Sequence, residues 1–397
     1  MANEWRTAKL GELVAFKTGK LDSNAAVPDG DYPFFTCSQD TLRTNTFSFD
    51  TECVLLAGNN ANGIYPLKYF HGKFDAYQRT YVVRPRDTEA LTTKFLYYAL
   101  RPKLSELRSF STGAATKFLT LTILNETAIE VPPLPVQRRI AGILSAYDEL
   151  IENSQRRIRL LEAMARALYR EWFVHFRFPG SHAAAGAKAD GHQKIKMVDS
   201  PLGKIPHGWQ VKTVKDLATV TYGFPFQSQK FNTDGIGTPV IRIRDILDGS
   251  INTFTDEEAE PKYHIKDGDI LVGMDGDFHM GIWSSGHAFQ NQRVAKFESD
   301  GEIGNYHLFL ALELPIQTWN KSIVGTTVAH LGDMHIKTIQ IVWPPAKILA
   351  KAREILEPMS QQIIALKRQI QNLRRTRDLL LPRLLSGQVE LTTQTAN

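Results

Sequence analysis

Two short polar loops carry the side chains best suited to chemistry. The first is Gly58-Asn-Asn-Ala-Asn-Gly63, where Asn59, Asn60 and Asn62 are amides. The second is Gly273-Met-Asp-Gly-Asp-Phe-His-Met-Gly281, where Asp275, Asp277 and His279 occupy alternate positions. Oxygen and imidazole ligands spaced in this way suit a metal ion. Amides and carboxylates also suit the edges of bases: Asn and Gln pair with adenine, and Asp accepts from the amino group of cytosine. A polar hairpin loop with no ligand is a third reading of the same residues. A duplicated metal site would keep its ligands, whereas loops reading different sequences would vary them, and here amides stand opposite acids.

Other candidates lie around these loops. Gln78-Arg79 and Gln292-Arg293 repeat as a pair, and Arg242 and Arg244 add positive charge in the second half. Thr112, Thr116, Lys117, Thr326 and Thr327 lie in Gly-bearing stretches suited to phosphate or base contacts. The repeated Gln-Arg pair also reads as a hydrogen bond or ion pair that holds the fold. A side chain that reads sequence should differ between copies, and one that holds phosphate or fold should recur.

The motifs of several enzymes are missing. Val131-Pro-Pro-Leu134 and Trp343-Pro-Pro-Ala346 lack the Asn, Asp or Ser before, and the aromatic after, that an amino-methyltransferase motif requires. Gly19-Lys20, Gly72-Lys73 and Gly203-Lys204 lack the hydroxyl residue that completes a phosphate-binding loop. Glu260-Pro-Lys262 resembles half of a nuclease motif, with no Pro-Asp close upstream to complete it. His330 and His335 lack partners at zinc-ligand spacing. The expectation is a chain with no catalytic residue, no metal and no cofactor of its own.

The elements that would position these residues are duplicated. Trp5-Arg-Thr-Ala-Lys-Leu-Gly-Glu-Leu13 resembles Trp209-Gln-Val-Lys-Thr-Val-Lys-Asp-Leu217, with Gly19 opposite Gly223. Val54-Leu-Leu-Ala-Gly58 answers Ile270-Leu-Val-Gly273, and Phe95-Leu-Tyr-Tyr-Ala-Leu100 answers His307-Leu-Phe-Leu-Ala-Leu312. Thr112-Gly113 meets Val324-Gly325, and Pro132-Pro133 meets Pro344-Pro345, both at an offset of 212. After each Pro-Pro pair a heptad seam begins. The first runs through Ile140, Leu144, Tyr147, Ile151, Ser154, Ile158, Leu161, Ala165, Leu168 and Trp172. The second, 212 residues on, runs through Ala352, Leu356, Met359, Ile363, Leu366, Ile370, Leu373, Arg377, Leu380 and Leu384. Two helices lying on globular cores would give the same pattern, but a common register favours a helix pair packed on itself. Pro358 predicts a kink or a fresh helix start, and Pro382 the helix end. Strand-like Thr80-Tyr-Val-Val83 and Thr238-Pro-Val-Ile-Arg-Ile243, with helix-like 94–104 and 305–314, give each half an α+β character. The predicted organisation is a first α+β domain over 1–134 and a helical segment over 135–178. A linker (about 179–200) and second domain then cover 179–345, followed by a second helical segment and short tail over 346–397.

Composition agrees with a globular chain of more than one core: 397 residues, 43% hydrophobic and 22% charged. No apolar run approaches the roughly 18 residues of a membrane span. The N-terminus shows no signal pattern, and two cysteines, Cys37 and Cys53, build no disulfide framework, so a reducing cytoplasm is expected. Net charge is +5, unevenly spread. Residues 1–137 hold 15 basic against 14 acidic groups, and 178–345 hold 15 against 19. The helical segments carry the surplus, 8 against 5 over 138–177 and 9 against 3 over 346–385.

With these features the chain resembles the DNA-specificity (S) subunit of type I restriction–modification enzymes. The resemblance is carried by Val131-Pro-Pro-Leu-Pro-Val-Gln137, Leu168-Tyr-Arg-Glu-Trp-Phe173, Ser111-Thr-Gly-Ala-Ala-Thr-Lys-Phe-Leu119 and above all Val198-Asp-Ser-Pro-Leu-Gly-Lys-Ile-Pro-His-Gly-Trp209. It implies an α+β (mixed α/β) architecture with two target recognition domains and an internal pseudo-twofold repeat. Two long antiparallel helices, forming a coiled coil, would hold those domains apart. It implies that each domain reads half of a bipartite, asymmetric site on double-stranded DNA. The helices would serve as a ruler and as docking surfaces for two methyltransferase subunits, joined by restriction and translocation subunits. S-adenosylmethionine, ATP and Mg²⁺ would then be used by those partners. Two other readings compete: a coiled-coil scaffold of a DNA-associated complex without sequence specificity, and a cryptic nuclease or methyltransferase.

Overall fold

The computed structural model describes residues 5–60, 64–110, 117–180, 195–301, 303–322, 330–389 and 391. The chain divides into two units, one built from 1–151 with 373–397 and the other from 152–372.

In the first unit, the strand Phe49–Ala57 is buried continuously from Cys53 to Ala57, because both faces of its sheet are covered. Val54 and Leu56 face a core containing Phe95, Leu96 and Leu100, while Cys53 and Leu55 face Phe35, Phe74 and Val82. The six-stranded sheet runs Val14–Thr18, Thr80–Pro85, Phe49–Ala57, Leu67–Ala76, Tyr32–Phe35, Leu42–Thr44. It is antiparallel except where Tyr32–Phe35 runs parallel to Leu67–Ala76. The helical stretch expected over 94–104 is two helices, Thr93–Leu100 and Lys103–Phe110. Pro102, lacking an N–H, separates them.

The second unit repeats this plan with one change. Val294–Ser299 again lies between Ala218–Tyr222 and Ile270–Gly273. The counterpart of the ten-residue strand Leu67–Ala76 is broken, however, into Met280–Ile282 and Ala288–Gln290. Gly286, at φ +84°, turns the chain between the pieces, and Trp283 closes the break by donating its indole N–H to the Gly286 carbonyl at 2.7 Å. One six-stranded sheet thereby becomes two four-stranded ones. Thr238–Ile241 stops two residues short of the expected strand, because Ile243–Asp245 turns into a 3₁₀ helix. The helix expected over 305–314 continues to Ser322. Of the stretch expected to be a linker, 181–194 lies outside the described residues, while Met197–Ser200 forms a hairpin with Gly203–Pro206.

Each unit ties its beginning to its end. Arg6–Lys9 pairs with Ala128–Val131, and Gln210–Thr213 pairs with Gln340–Trp343. The Pro-Pro pair that follows has a preset φ suited to a helix start. Helices Leu134–Tyr169 and Ala346–Leu385 begin directly after it. Gln137, fully buried, accepts from the Thr92 N–H and donates to the Ala90 and Pro132 carbonyls, at 2.8–2.9 Å. Its counterpart 212 residues on is the apolar Leu349.

The seam positions Ile140, Leu144, Ile151, Ile158, Ala352, Leu356, Ile363, Leu366, Ile370 and Leu384 are buried. Tyr147, Leu161, Leu168, Met359, Leu373 and Leu380 are half-buried. In the first unit, Ile140, Ala141 and Leu144 share a core with Leu381 and Leu384. Asp148 meets Arg377 at 2.5 Å, so the first turns of one long helix lie against the last turns of the other. Pro358 does not start a new helix: Ala346–Leu385 is continuous through it. Pro358 is exposed, so the carbonyl of Glu354 that it leaves without a helical donor lies on the solvent side. Pro382 does not end the helix either. Gly387, at φ +71°, does so five residues later, with the Ser386, Gly387 and Gln388 N–H groups closing on Pro382, Leu384 and Arg383. The first helix ends in a π-helical segment, Arg170–Val174. No described helix is long and apolar enough to cross a membrane.

In the second unit, Phe173, Phe176 and Phe178 surround Trp209, so two of the sequence motifs meet in one aromatic cluster. Phe173 also meets His307 at 4.5 Å. Burial without a polar partner at Nδ1 pushes the His307 imidazole down to about 4.

Two outcomes follow. The unfolded chain takes up a proton at this histidine near 6.5 and the folded chain only near 4. Stability is therefore complete above about 6.5 and declines as pH falls toward 4, by on the order of 3 kcal/mol. In thermal melts, His307→Phe should flatten the loss of Tm between pH 7 and 4.5. Gln137→Leu should cost about 2–4 kcal/mol in urea unfolding, because it strands one buried N–H and two carbonyls.

Candidate nucleic-acid interface

The repeated Gln-Arg pairs occupy the middle of one and the same turn. In the first unit the Thr80 N–H bonds the Tyr77 carbonyl at 2.8 Å, and in the second the Val294 N–H bonds the Asn291 carbonyl at 2.9 Å. Each turn is anchored to the parallel strand beside it: Tyr77 N–H to the Phe35 carbonyl, and Asn291 N–H to the Ile241 carbonyl. Glycine permits the close approach of the chain that caps each turn. A Cβ on Gly19 would fall 1.7 Å from the Ala76 carbonyl oxygen, and one on Gly223 would fall 1.9 Å from that of Asn291.

The polar loops then come under these turns by matching bonds. Gly58 N–H reaches the Arg79 carbonyl, and Met274 N–H the Arg293 carbonyl. Leu119 N–H reaches the Gly58 carbonyl at 2.8 Å, and Leu331 N–H the Met274 carbonyl at 2.7 Å. Asn59 therefore pairs across with Phe118, and Asp275 with His330. The backbone frame is common to both units, and the side chains hung on it are different.

In the first unit, the exposed Arg79 guanidinium lies over the Phe118 ring, 5.4 Å from its centroid. The Asn59 side chain accepts from the Cys37 thiol at 2.9 Å. In the second unit, Arg293 Nε stands 3.2 Å from one Asp275 oxygen, and His330 Nδ1 stands 2.6 Å from the other. Gln78 and Gln292 are both exposed, with no side-chain partner among the described residues.

Asp277 is exposed beside this cluster and bonds through its carbonyl to the His279 N–H at 2.7 Å. Arg242 and Arg244 sit just past Ile241, on the 3₁₀ turn beside the Gln-Arg turn, where the first unit has Thr36 and Ser38. The buried Asp245 holds that turn by accepting from the Arg242 N–H at 2.9 Å, and burial pushes its carboxyl upward. Asn62, Thr112, Thr116, Thr326 and Thr327 lie outside the described residues, as do the side chains of Asn60 and Lys117. Among the described residues, no three His, Cys, Asp or Glu side chains converge as a metal site would require.

Cys37, Phe118 and His330 lie at the candidate site and are not among its residues as read from sequence, where His330 is weighed only as a zinc ligand and Cys37 only for disulfides. The offset of 212 that aligns the Pro-Pro pairs also sets Phe118 opposite His330, which was the available signal.

The family model of the type I restriction modification DNA specificity domain matches the chain twice, over residues 2–163 and 206–374. The chain is 35% identical over 230 residues to the type I restriction enzyme EcoDI specificity subunit of Escherichia coli, a match covering 55% of this chain and 49% of that one. It therefore spans only half the length of that relative. It is 26% identical over 326 residues to the MjaIX specificity subunit of Methanocaldococcus jannaschii, covering 77% and 71%. The crystal structure of a type I restriction-modification system S subunit from M. genitalium shares the fold, with a TM-score of 0.64 at 18% identity over 98% of each chain. With a duplicated frame and two family matches laid one on each copy, the chain belongs to the type I restriction modification DNA specificity family.

Proposed function

We propose that this chain is the non-catalytic DNA-reading subunit of a type I restriction–modification complex, and that each unit reads one half of a bipartite, asymmetric site. The observation that carries the reading is the common backbone frame bearing Arg79, Asn59 and Phe118 in one unit and Arg293, Asp275 and His330 in the other. One docking geometry combined with two sets of donors and acceptors is what two different half-sites require.

The long helices act as a coiled-coil ruler. At 1.5 Å per residue each is on the order of 55–60 Å long, enough for half-sites one helical turn apart, about 34–36 Å. Their solvent faces carry exposed arginines, including Arg156, Arg157, Arg374 and Arg375, and offer docking surfaces for two methyltransferase subunits. Restriction subunits join that complex. S-adenosylmethionine serves methylation in the partners, and ATP and Mg²⁺ serve restriction. The complex works in the cytoplasm, where its DNA lies.

Sequencing of methylated bases in cells carrying this chain with its methyltransferase partner should reveal one two-part motif. Arg79→Ala should change the bases accepted in one part and leave the other as it was. A scaffold without specificity would instead bind duplexes irrespective of sequence, and that result would overturn the reading.

The recognition segments are close to neutral or acidic, so affinity for phosphate must come largely from the assembled complex. The isolated chain should bind the motif weakly, and the complex tightly with a steep loss of affinity as salt rises. Nanomolar, sequence-specific binding by the chain alone at physiological salt would contradict this.

A further inference from the structure

We propose that Arg293 reads a guanine in the half-site of the second unit, and that Asp275 and His330 form the clamp that positions it. The inference rests on the function proposed above and names the base that one residue recognises.

The geometry divides the roles of the three side chains. Asp275 stands nearest to Arg293 at Nε, 3.2 Å away, as an ion pair, and the two terminal nitrogens of the fork remain for an outside acceptor. Among the described residues, no other acceptor engages this exposed guanidinium. Guanine presents O6 and N7 side by side in the major groove, the pair of acceptors that a planar fork meets with two parallel bonds.

Asp275 is held from both sides. His330 Nδ1 reaches its second oxygen at 2.6 Å, so the carboxylate cannot swing away from the arginine without breaking that contact. It is also less exposed than its two partners, at 26% against 56% for Arg293 and 47% for His330. A long side chain loses much rotational freedom when it binds, and fixing it in advance converts more of each bond into discrimination.

Charge separates this role from a phosphate contact. A carboxylate beside the guanidinium offsets the positive charge that would draw a phosphate, while the directional N–H donors remain. Among the described residues, no carboxylate pairs with Arg79. Its guanidinium lies over the Phe118 ring, and its charge is not offset in this way. The two arginines share a place in the turn and differ in what their surroundings leave them able to do.

The test uses the chain in complex with its methyltransferase partner and a set of duplexes, each with one base-pair change in the methylated motif. Methylation rates on these duplexes give discrimination at each position. Arg293→Lys keeps the charge and loses the fork. It should lower discrimination on the order of ten- to a hundredfold at a single G·C pair in one half-site. Asp275→Asn should lower discrimination at that same pair, and His330→Phe should do so to a smaller degree. Discrimination in the other half-site should hold in all three, which also reports that each variant is folded. Uniform weakening by Arg293→Lys across every duplex would assign the residue to phosphate and overturn the proposal. A change by Asp275→Asn at a different position would make the carboxylate itself the reader and overturn the clamp. An unmodified chain that discriminates at no position would instead defeat the function proposed above.

Discussion

The carboxylate of Asp148, on the first long helix, gathers three partners from other elements of its unit. Tyr98 donates to it at 2.7 Å, Arg101 stands 3.5 Å away, and Arg377 from the second long helix meets it at 2.5 Å. Arg377 occupies the one seam position of its helix that is not apolar, and its side chain is 11% exposed. An arginine there would be costly without a partner. With Asp148 opposite, it becomes a register pin, because sliding either helix by a turn would part the two charges. The same carboxylate binds the helix Thr93–Leu100, and that helix packs on the sheet bearing the Gln-Arg turn. The placing of the candidate site on the long helices therefore passes through one part-buried ion pair.

The second unit solves the same problem with the charges exchanged. Glu313, at the place 212 residues beyond Arg101, takes Arg166 at 2.8 Å, while Glu162 faces Lys367 across the helix pair at 3.9 Å. Arg368 reaches Asp267 at 3.2 Å and Gln371 donates to Ser285 at 2.6 Å, so the second helix is also fastened to the recognition fold there. Because the carboxylate and the guanidinium have changed sides, neither unit's contacts could substitute for the other's. Sequence repetition at the level of helix and strand thus coexists with pairwise chemistry that keeps the copies distinct.

Periodicity made much of this legible in the sequence, and local backbone chemistry set the limit. The seam positions could be read because burial repeats every three and four residues, and their exposure in the structure follows that spacing. No fresh helix start occurs at Pro358, because the cost of a proline depends on which way the missing bond faces, and that becomes visible only when the helix is docked. The split of the second unit's strand was not legible at all. It depends on Trp283 finding the Gly286 carbonyl, a contact set by tertiary packing rather than by pattern. At the candidate site, Asn59, Arg79, Asp275 and Arg293 stood out as polar residues in suspect loops. Phe118 and His330 did not, since an aromatic and a lone histidine announce nothing until the opposite strand is in place.

Recurrence and variation then take on a physical meaning. What recurs between the copies is backbone: the turns at 77–80 and 291–294, the carbonyls that receive Gly58 and Met274, and the glycines whose missing Cβ lets the chain pass within contact of a carbonyl. A side chain added at Gly19 or Gly223 would collide with the main chain, so neither position tolerates drift. What varies is the pair of side chains across the short bridge beneath the turn, Asn59 with Phe118 and Asp275 with His330. Those positions project from a rigid frame and hold no backbone bond of their own through the side chain. They can change without unsettling the fold, and any such change alters how the arginine above them is held. Under the proposed function, a unit of this kind would acquire a new target by exchanging what lies under the recurring arginine, with the arginine and its turn left in place.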